Sequence, residues 1–535
     1  MKGFSQEIEP RILNALRGSE TGMYIQEIAA ELSITRHTAS KYLEVLKARG
    51  MIDYRQVGNV KVWQITTTDT KSIEARGLEG GTMERRSTST AVLEPAERFA
   101  ELYPVYTDEQ AVVEASKCLE CGGPYAPAPC VEACPAQIDI PKFIQEIRLG
   151  DPEASARTIF SANILGGSCA RVCPVEELCE GVCVLKEEGR RPVAIGRLQR
   201  YATDWVLSRG IPYISPIPTR KRKESVGVIG AGPAGLSCAA ELAQRGYRVT
   251  VYDAYPDFGG LITYGIAPYR QWYDPIPQEV ERIQELGVRF EMNTRIGVEI
   301  PIEELERRHE AIFLGIGLGE DIDVRYPGDE LEGVYYSLEF IEMLKQGEWD
   351  KLKVGRRVAV IGGGNTAIDV ARESVRLGAQ EVIILYRRTN KEMPAYRHEV
   401  EEARDEGVHF YWLTNPVKFI GDRRVQAVEC IHMKLGTPDR SGRPRPEPVE
   451  GTEFVLEIDT VIKAIGQRRR TKFLESIANV ELESGLIKID PETGQMTNPR
   501  YFAGGDCING GATVVEAVRH GKIAAWGIDR WLNEA

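Results

Sequence analysis

Twice along the chain an apolar run of strand length leads through a glycine loop into a helical pattern and on to a second strand. The first passage is SVGVIGAGPAGLSCAAELAQRGYRVTVYDA, residues 225–254, and the second is RRVAVIGGGNTAIDVARESVRLGAQEVIILYRR, residues 356–388. Apolar strands joined by a helix pair in parallel, are covered on both faces, and require a right-handed crossover. Each passage is therefore expected to open a Rossmann-like dinucleotide-binding domain in an α/β chain.

The two passages end on opposite charges. In the first, Gly230, Gly232 and Gly235, with Pro233 and Ala234 between them, let backbone approach a pyrophosphate at a helix N-terminus. Asp253 at the end of the second strand can accept from a ribose hydroxyl. In the second, Gly362, Gly364 and Ala367 enclose Asn365 and Thr366, and the strand ends in Tyr386-Arg387-Arg388 rather than an acid. Guanidinium groups make charge-assisted bonds to phosphate, so Arg387 and Arg388 favour the 2'-phosphate of NADPH, with NADH possible. The first loop is then left for FAD. Far downstream, Gly505-Asp506 ends a strand where the acid can take flavin ribityl hydroxyls, and Ala512-Thr513 opens a helix whose dipole faces the flavin pyrimidine ring. Gly317 in AIFLGIGLGE marks a further strand end where chain crosses between the domains. One dinucleotide domain is expected inside the other: FAD-binding over 219–350 and 465–535, NAD(P)H-binding over 351–464.

Eight of the eleven cysteines fall between residues 118 and 183. They read Cys118-x2-Cys121-x8-Cys130-x3-Cys134-Pro135, then Cys169-x3-Cys173-Pro174, then Cys179-x3-Cys183. Disulfides are unlikely products of a reducing cytosol. Short-spaced cysteine pairs also build zinc sites, but a proline straight after two of the ligands is foreign to that pattern. A C-x2-C opening and C-x3-C-P closes match ferredoxin-type spacing, in which the last cysteine of a run often serves the other cluster. Two 4Fe-4S clusters are the expectation.

Residues 1–68 read differently. YIQEIAAELSITRHTASKYLEVLKARGMIDYRQVGNVKVWQI is helix, turn, helix, then a hairpin turning at Gly58-Asn59. Ala39, Leu43 and Leu46 recur at helical spacing and should face a core, with Arg36, His37, Ser40 and Lys41 outward. This resembles a winged helix-turn-helix of prokaryotic regulators. Over residues 1–80, however, 11 Lys and Arg face 10 Asp and Glu, a thin surplus for gripping phosphates, so a docking or dimerising module is the competing reading. Residues 69–95, charged and rich in Gly, Ser and Thr, read as a linker. The chain has 535 residues and a net charge of −12, with no apolar run near eighteen residues and no leader pattern. No membrane span and a cytoplasmic location are expected, and broad nucleic-acid binding by the whole chain is disfavoured.

CPAQIDIPKFI, CARVCPVEELCEGVC, GVIGAGPAGLSCA, GGLITYGIAPYR, VIGGGNTAIDVARES, YRRTNKEMPA, AIGQ and FAGGD with ATVVEAVRHGKIAA stand in order over residues 96–533. Together they resemble the glutamate synthase small (beta) subunit and its relatives, the N-terminal half of dihydropyrimidine dehydrogenase and the large subunit of NADH-dependent ferredoxin:NADP oxidoreductase. The resemblance implies a helical double 4Fe-4S domain over 96–218, FAD contacts at Gly260 and Leu261, and electron flow from NADPH through FAD and two clusters to a partner. It implies that Cys118, Cys121 and Cys130 hold one cluster and Cys134, Cys173, Cys179 and Cys183 the other. In the dihydropyrimidine dehydrogenase branch a glutamine completes the first cluster, which points to Gln199 in AIGRLQRYA; Cys169 is the alternative ligand, since eight thiols would also fill eight places. GGPYAPAP lengthens the usual gap between Cys121 and Cys130, and APYRQWYD replaces the usual IPxYRLP. Hydride transfer needs no protein acid or base, so no catalytic side chain is assigned. The acceptor is expected on another protein, a separate oxidoreductase subunit or a ferredoxin, in an oligomer or hetero-complex, with DNA a further possible partner of the head. The alternative function is a redox-sensing DNA-binding regulator.

Overall fold

The computed structural model describes residues 8–17, 23–24, 28–29, 32, 39, 43, 46–47, 52–57, 60–65, 99, 101, 103–213, 221–272, 274–349, 351–439 and 442–534. The chain divides into two compact units, residues 1–91 and 92–535. In the first unit, helix Ile8–Arg17 turns Ile12 and Leu16 inward, and Ile28, Ala39, Leu43 and Leu46 join them in one apolar core with Trp63. Ala39, Leu43 and Leu46 are thus buried as their spacing predicts. Strands Ile52–Val57 and Val60–Ile65 pair antiparallel with Val57 opposite Val60, and Met23–Tyr24 adds a third strand. Arg36, His37, Ser40, Lys41, the turn residues Gly58 and Asn59 and the linker 69–95 lie outside the described residues.

The second unit begins with helices. Thr107 and Gln110 form a reciprocal capping box that starts helix Asp108–Ala115, while Asp139 and Asp151 cap Ile140–Arg148 and Pro152–Ala162, each with a proline in the first turn. Phe143, Ile144, Ile147, Ile159, Leu198 and Val206 pack these helices against Ile195–Leu207.

Two five-stranded parallel sheets come next. The first runs Tyr501–Ala503, Ala311–Leu314, Ser225–Ile229, Arg248–Tyr252, Arg289–Glu291. The second runs His409–Trp412, Glu381–Tyr386, Arg357–Ile361, Thr460–Lys463, Val334–Tyr336. In each, strand order reverses beside the strand that feeds the glycine loop, and that is where an open α/β sheet binds its ligand. The second sheet claims Val334–Tyr336, which pairs with Thr460–Lys463. The chain therefore crosses to the second sheet before residue 334 rather than at 351. The sequence misleads here because this strand is short and half-buried, without the apolar run that marks the others. An antiparallel sheet of Thr414–Ile420, Ala427–Pro438, Pro444–Pro448 and Phe454–Glu457 is inserted before the chain returns.

Helix Pro233–Gln244, which leaves the first glycine loop, packs against the long terminal helix Val514–Glu534. Their approach needs a glycine: a Cβ on Gly521 would lie 2.3 Å from the Ala234 carbonyl oxygen and 2.9 Å from the Cys238 amide nitrogen. Overpacking such a contact costs about 1–3 kcal/mol or more. Gly521→Val should therefore lower the unfolding midpoint by several degrees and reduce the flavin retained on purification; an unchanged melting curve would contradict the contact.

Candidate flavin, nucleotide and thiol sites

Both glycine loops are shaped by the same steric demand. Gly230 takes a φ of 105° and a Cβ there would meet the Gly315 carbonyl oxygen at 2.3 Å; Gly362 takes a φ of 144° and would meet the Ala464 carbonyl oxygen at 2.1 Å. Only glycine fits between loop and neighbouring strand at these points.

Around the first loop the expected FAD residues converge. Asp253 accepts from the Ala231 amide at 2.6 Å and the Tyr255 amide at 2.9 Å, so the carboxylate closes the loop and keeps further lone pairs for a ribose. Burial raises its pKa while the two amides oppose that rise. Gly232 and Gly260 face each other, and Leu261 opens the short helix Leu261–Tyr264 beside them. Gly505 adjoins Ala234, and Asp506 accepts from the Ala512 amide at 3.2 Å. Thr513 caps the terminal helix through the Glu516 amide. Gly317 stands in open space at the strand exit. Arg470, which the motif reading passed over, bridges this exit by donating from Nε to the Ile316 and Leu318 carbonyls, and its charge reaches Asp253. The run Arg468-Arg469-Arg470 directly after AIGQ was the available signal.

At the second loop, Gly364 caps helix Asn365–Arg376, Asn365 Oδ1 accepts from the Tyr396 amide at 2.9 Å, Thr366 is half-buried and Ala367 is buried. The two arginines expected to act together are separated. Arg387 is exposed, whereas Arg388 is buried, donates from Nε to the Pro444 carbonyl at 2.8 Å and pairs with Asp439 at 3.4 Å. Both lie in the bend just past strand Glu381–Tyr386, where the chain turns one inward and leaves the other to solvent.

All eleven cysteines are free thiols. Cys118, Cys121, Cys130 and Cys183 line one apolar hollow with Leu119, Ile140, Val182 and Ile195. Burial pushes the Cys130 thiol up to about 12, and Cys118, Cys121 and Cys183 add to the rise by their nearness. Cys134, Cys169, Cys173 and Cys179 form a second group, in which all but the partly exposed Cys173 are buried. At Cys134 the amides of Ala136, Gln137 and Ile138 aim at the sulfur and counter the burial that raises its pKa, an arrangement that also suits a negatively charged cluster.

The expected division of the thiols needs one correction. Cys183 belongs with Cys118, Cys121 and Cys130, and Gln199 does not line their hollow. Ile195 reaches that hollow, but Gln199 lies one helical turn further on, where its Nε2 donates to the Gly166 carbonyl at 2.7 Å on the helix that carries Cys169. Each run thus places its last cysteine with the other group. Among the described residues no three His, Cys, Asp or Glu side chains gather tightly enough for one metal ion. Four thiols round one apolar hollow, and amides aimed at Cys134, suit a four-iron cube, which takes one thiolate per iron.

Family models agree with this geometry. Residues 95–211 match dihydropyrimidine dehydrogenase domain II, 4Fe-4S cluster; residues 224–521 match pyridine nucleotide-disulphide oxidoreductase; residues 4–61 match the MarR family. The glutamate synthase (NADPH) small chain of Escherichia coli is 36% identical over 451 residues, covering 81% of this chain and 94% of that one. The NADP(+)-dependent formate dehydrogenase subunit beta of Moorella thermoacetica is 39% identical over 436 residues, and the match spans 77% of this chain and only 61% of the relative. FprA of Mycobacterium tuberculosis, in a variant form, shares the fold at a TM-score of 0.50 with 20% identity, over 59% of this chain and 86% of that chain.

The regrouping of thiols is open to test. In anaerobically prepared protein, Cys183→Ala should abolish the same low-temperature EPR signal as Cys121→Ala and leave the signal that Cys134→Ala removes. Loss of the Cys134-dependent signal in Cys183→Ala would instead place Cys183 with Cys134, Cys173 and Cys179.

Proposed function

The chain belongs to the glutamate synthase small-chain family of pyridine nucleotide oxidoreductases, and from that premise we propose that it is an electron-input subunit. It takes hydride from NADPH and hands electrons to a separate acceptor subunit or a ferredoxin. FAD bound at the first glycine loop would supply acceptance of the hydride pair, and two 4Fe-4S clusters would supply one-electron relay, with one proton released for each NADPH oxidised.

One observation carries this reading. The more buried thiol group adjoins the flavin half of the fold, and the half-exposed group lies beyond it. Cys134, Pro135 and Gln137 share a hollow with Glu516 and Arg519 of the terminal helix, whose N-terminal end is at the flavin site. Lys522 of the same helix donates to the Ala162 carbonyl at 2.7 Å. Cys118, Cys121, Cys130 and Cys183 are instead partly exposed, which suits them to the exit. Cys134, Cys173 and Cys179 would hold the inner cluster, and Gln199 its fourth iron through Oε1. That oxygen has no hydrogen-bond partner among the described residues, because Nε2 is the atom committed to Gly166. Cys169 would then be a neighbouring thiol that adds to the rise of the Cys173 pKa. Gly230, Gly232, Gly235, Asp253 and Asp506 would orient FAD, and Gly362, Gly364 and Arg387 the NADPH.

A second reading concerns the N-terminal unit. Residues 4–61 match the MarR family, and the reading this favours is a DNA-binding regulator, with response to the redox state of the rest of the chain the part left to experiment. Retention of an upstream DNA fragment that changes on reduction and is lost on Arg36→Ala with Lys41→Ala would support it; no binding at low salt would end it.

For the principal reading, NADPH should bleach the flavin and reduce a viologen dye under anoxic conditions. Cys121→Ala should keep the flavin bleaching and lose viologen reduction by about tenfold or more. Protein that purifies without flavin, or that reduces viologen equally well after Cys121→Ala, would refute the proposed route.

A further inference from the structure

The inserted antiparallel sheet does more than extend the second domain. Its strands Ala427–Pro438 and Pro444–Pro448 pair with Pro438 opposite Pro444, and at the turn end the Asp439 amide donates to the Arg443 carbonyl at 2.8 Å and the Gly442 amide donates to the Asp439 carbonyl at 2.9 Å. The turn is fastened to the end of strand Glu381–Tyr386 from both sides. Arg388 donates from Nε to the Pro444 carbonyl and pairs with Asp439. Arg443 donates through one terminal nitrogen to the Tyr386 hydroxyl at 3.1 Å and to the Glu392 carbonyl at 2.5 Å, and its backbone amide donates to Asp439 Oδ1 at 3.3 Å.

Tyr386 ties this contact to the nucleotide loop. Its ring lies so near Gly363 that a Cβ there would fall 2.4 Å from a ring carbon, and its hydroxyl donates to the Glu392 carbonyl at 2.8 Å. Arg443 therefore stands at the strand end where a dinucleotide presents its adenosine ribose. Its Nε and second terminal nitrogen make no hydrogen bond among the described residues. A guanidinium offers five N–H donors, so this one is held in place by one nitrogen and free to donate from the others. Arg388, by contrast, is buried and committed to the turn, and Arg387 is exposed with no hydrogen bond or ion pair among the described residues.

We propose that Arg443, delivered by the inserted hairpin, binds the 2'-phosphate of NADPH alongside Arg387 and sets the preference over NADH, with Arg388 a positioning residue that anchors the turn. The assignment rests on the second glycine loop taking NADPH. It moves half of the phosphate recognition from the Tyr386-Arg387-Arg388 run to a residue 56 positions downstream of Arg387 (443 − 387 = 56), outside either glycine-loop motif.

Binding of 2',5'-ADP and of 5'-AMP to the purified holoprotein, measured by calorimetry, separates the outcomes without turnover. The unaltered protein should bind 2',5'-ADP more tightly than 5'-AMP. Arg443→Leu should weaken 2',5'-ADP by roughly tenfold to a hundredfold, the range for hydrogen bonds to a charged group, and leave 5'-AMP within about twofold. The NADPH KM should rise with kcat preserved, and the NADH KM should stay as it was. Arg443→Lys, which keeps charge and bulk, should recover part of the loss and guards against a folding defect, with flavin content as the check. Equal weakening of both ligands would reduce Arg443 to a brace for Tyr386, and no weakening of either would remove it from the site; either overturns the proposal. An unaltered protein that does not distinguish the two ligands would overturn the NADPH assignment itself.

Discussion

A carboxylate with no exposure to solvent holds the thiol helices to the flavin sheet. Glu279, on helix Ile276–Glu285, accepts from the Gly167 and Ser168 amides at 2.8 and 3.2 Å and from the Ser168 hydroxyl at 2.6 Å. Burial lifts its pKa to about 7 against the pull of these donors. The helix it caps, Gly166–Val172, carries Cys169 and leads directly to Cys173. Leaving those amides unpaired in the interior would cost about 1–3 kcal/mol each. The contact therefore fixes the inner thiols against the flavin half, and single-electron transfer between two cofactors depends on such fixed placement.

The loop that precedes helix Ile276–Glu285 extends the same interlock to the second sheet. Gln271 donates to the Ser168 hydroxyl at 3.3 Å, and Trp272 donates to the Phe99 carbonyl at 3.1 Å. One residue earlier than Gln271, Arg270 pairs with Asp369 at 2.8 Å and Glu399 at 3.0 Å, on two helices of the nucleotide domain. Tyr269 donates to Asp369 at 2.6 Å and lies under the guanidinium groups of Arg372 and Arg376. Lys345 is half-buried, and the desolvation of its ammonium group lowers its pKa to about 7 while that group donates to the Gln271 and Trp272 carbonyls. A single loop thus ties the thiol helices, the flavin sheet and the nucleotide domain together. It is the stretch APYRQWYD, in which Tyr269 and Arg270 stand where IPxYRLP also has Tyr-Arg, while Gln271 and Trp272 depart from it.

Hydrophobic alternation and glycine spacing made much of the molecule legible. The two Rossmann-like domains, the helical thiol domain and the winged head all arise from patterns confined to short consecutive stretches. Gly230, Gly362, Asp253 and Asp506 could be named because their roles are local: a loop must clear a strand, and an acid must stand at a strand end. The division of the thiols was harder to read. Cys183 is far in sequence from Cys118, Cys121 and Cys130, and nothing in its own spacing shows which of two neighbouring hollows it enters. Resemblance singles out Gln199 but does not show which thiols it faces, because a single helical turn separates Ile195, which lines one hollow, from Gln199, which turns to Gly166.

The sequence by itself determined the kind of chemistry available, since backbone donors at glycine loops and clustered thiols are properties of short segments. Tertiary structure alone decided which thiols stand together, which arginine is free and which is tied down, and where the second sheet begins. Those outcomes depend on side chains that meet across long separations in the chain, as Arg388 meets Asp439 and Pro444, and on the face of a strand or helix that each side chain leaves. No local pattern encodes that choice, because it is made by packing between elements that fold from distant parts of the polypeptide.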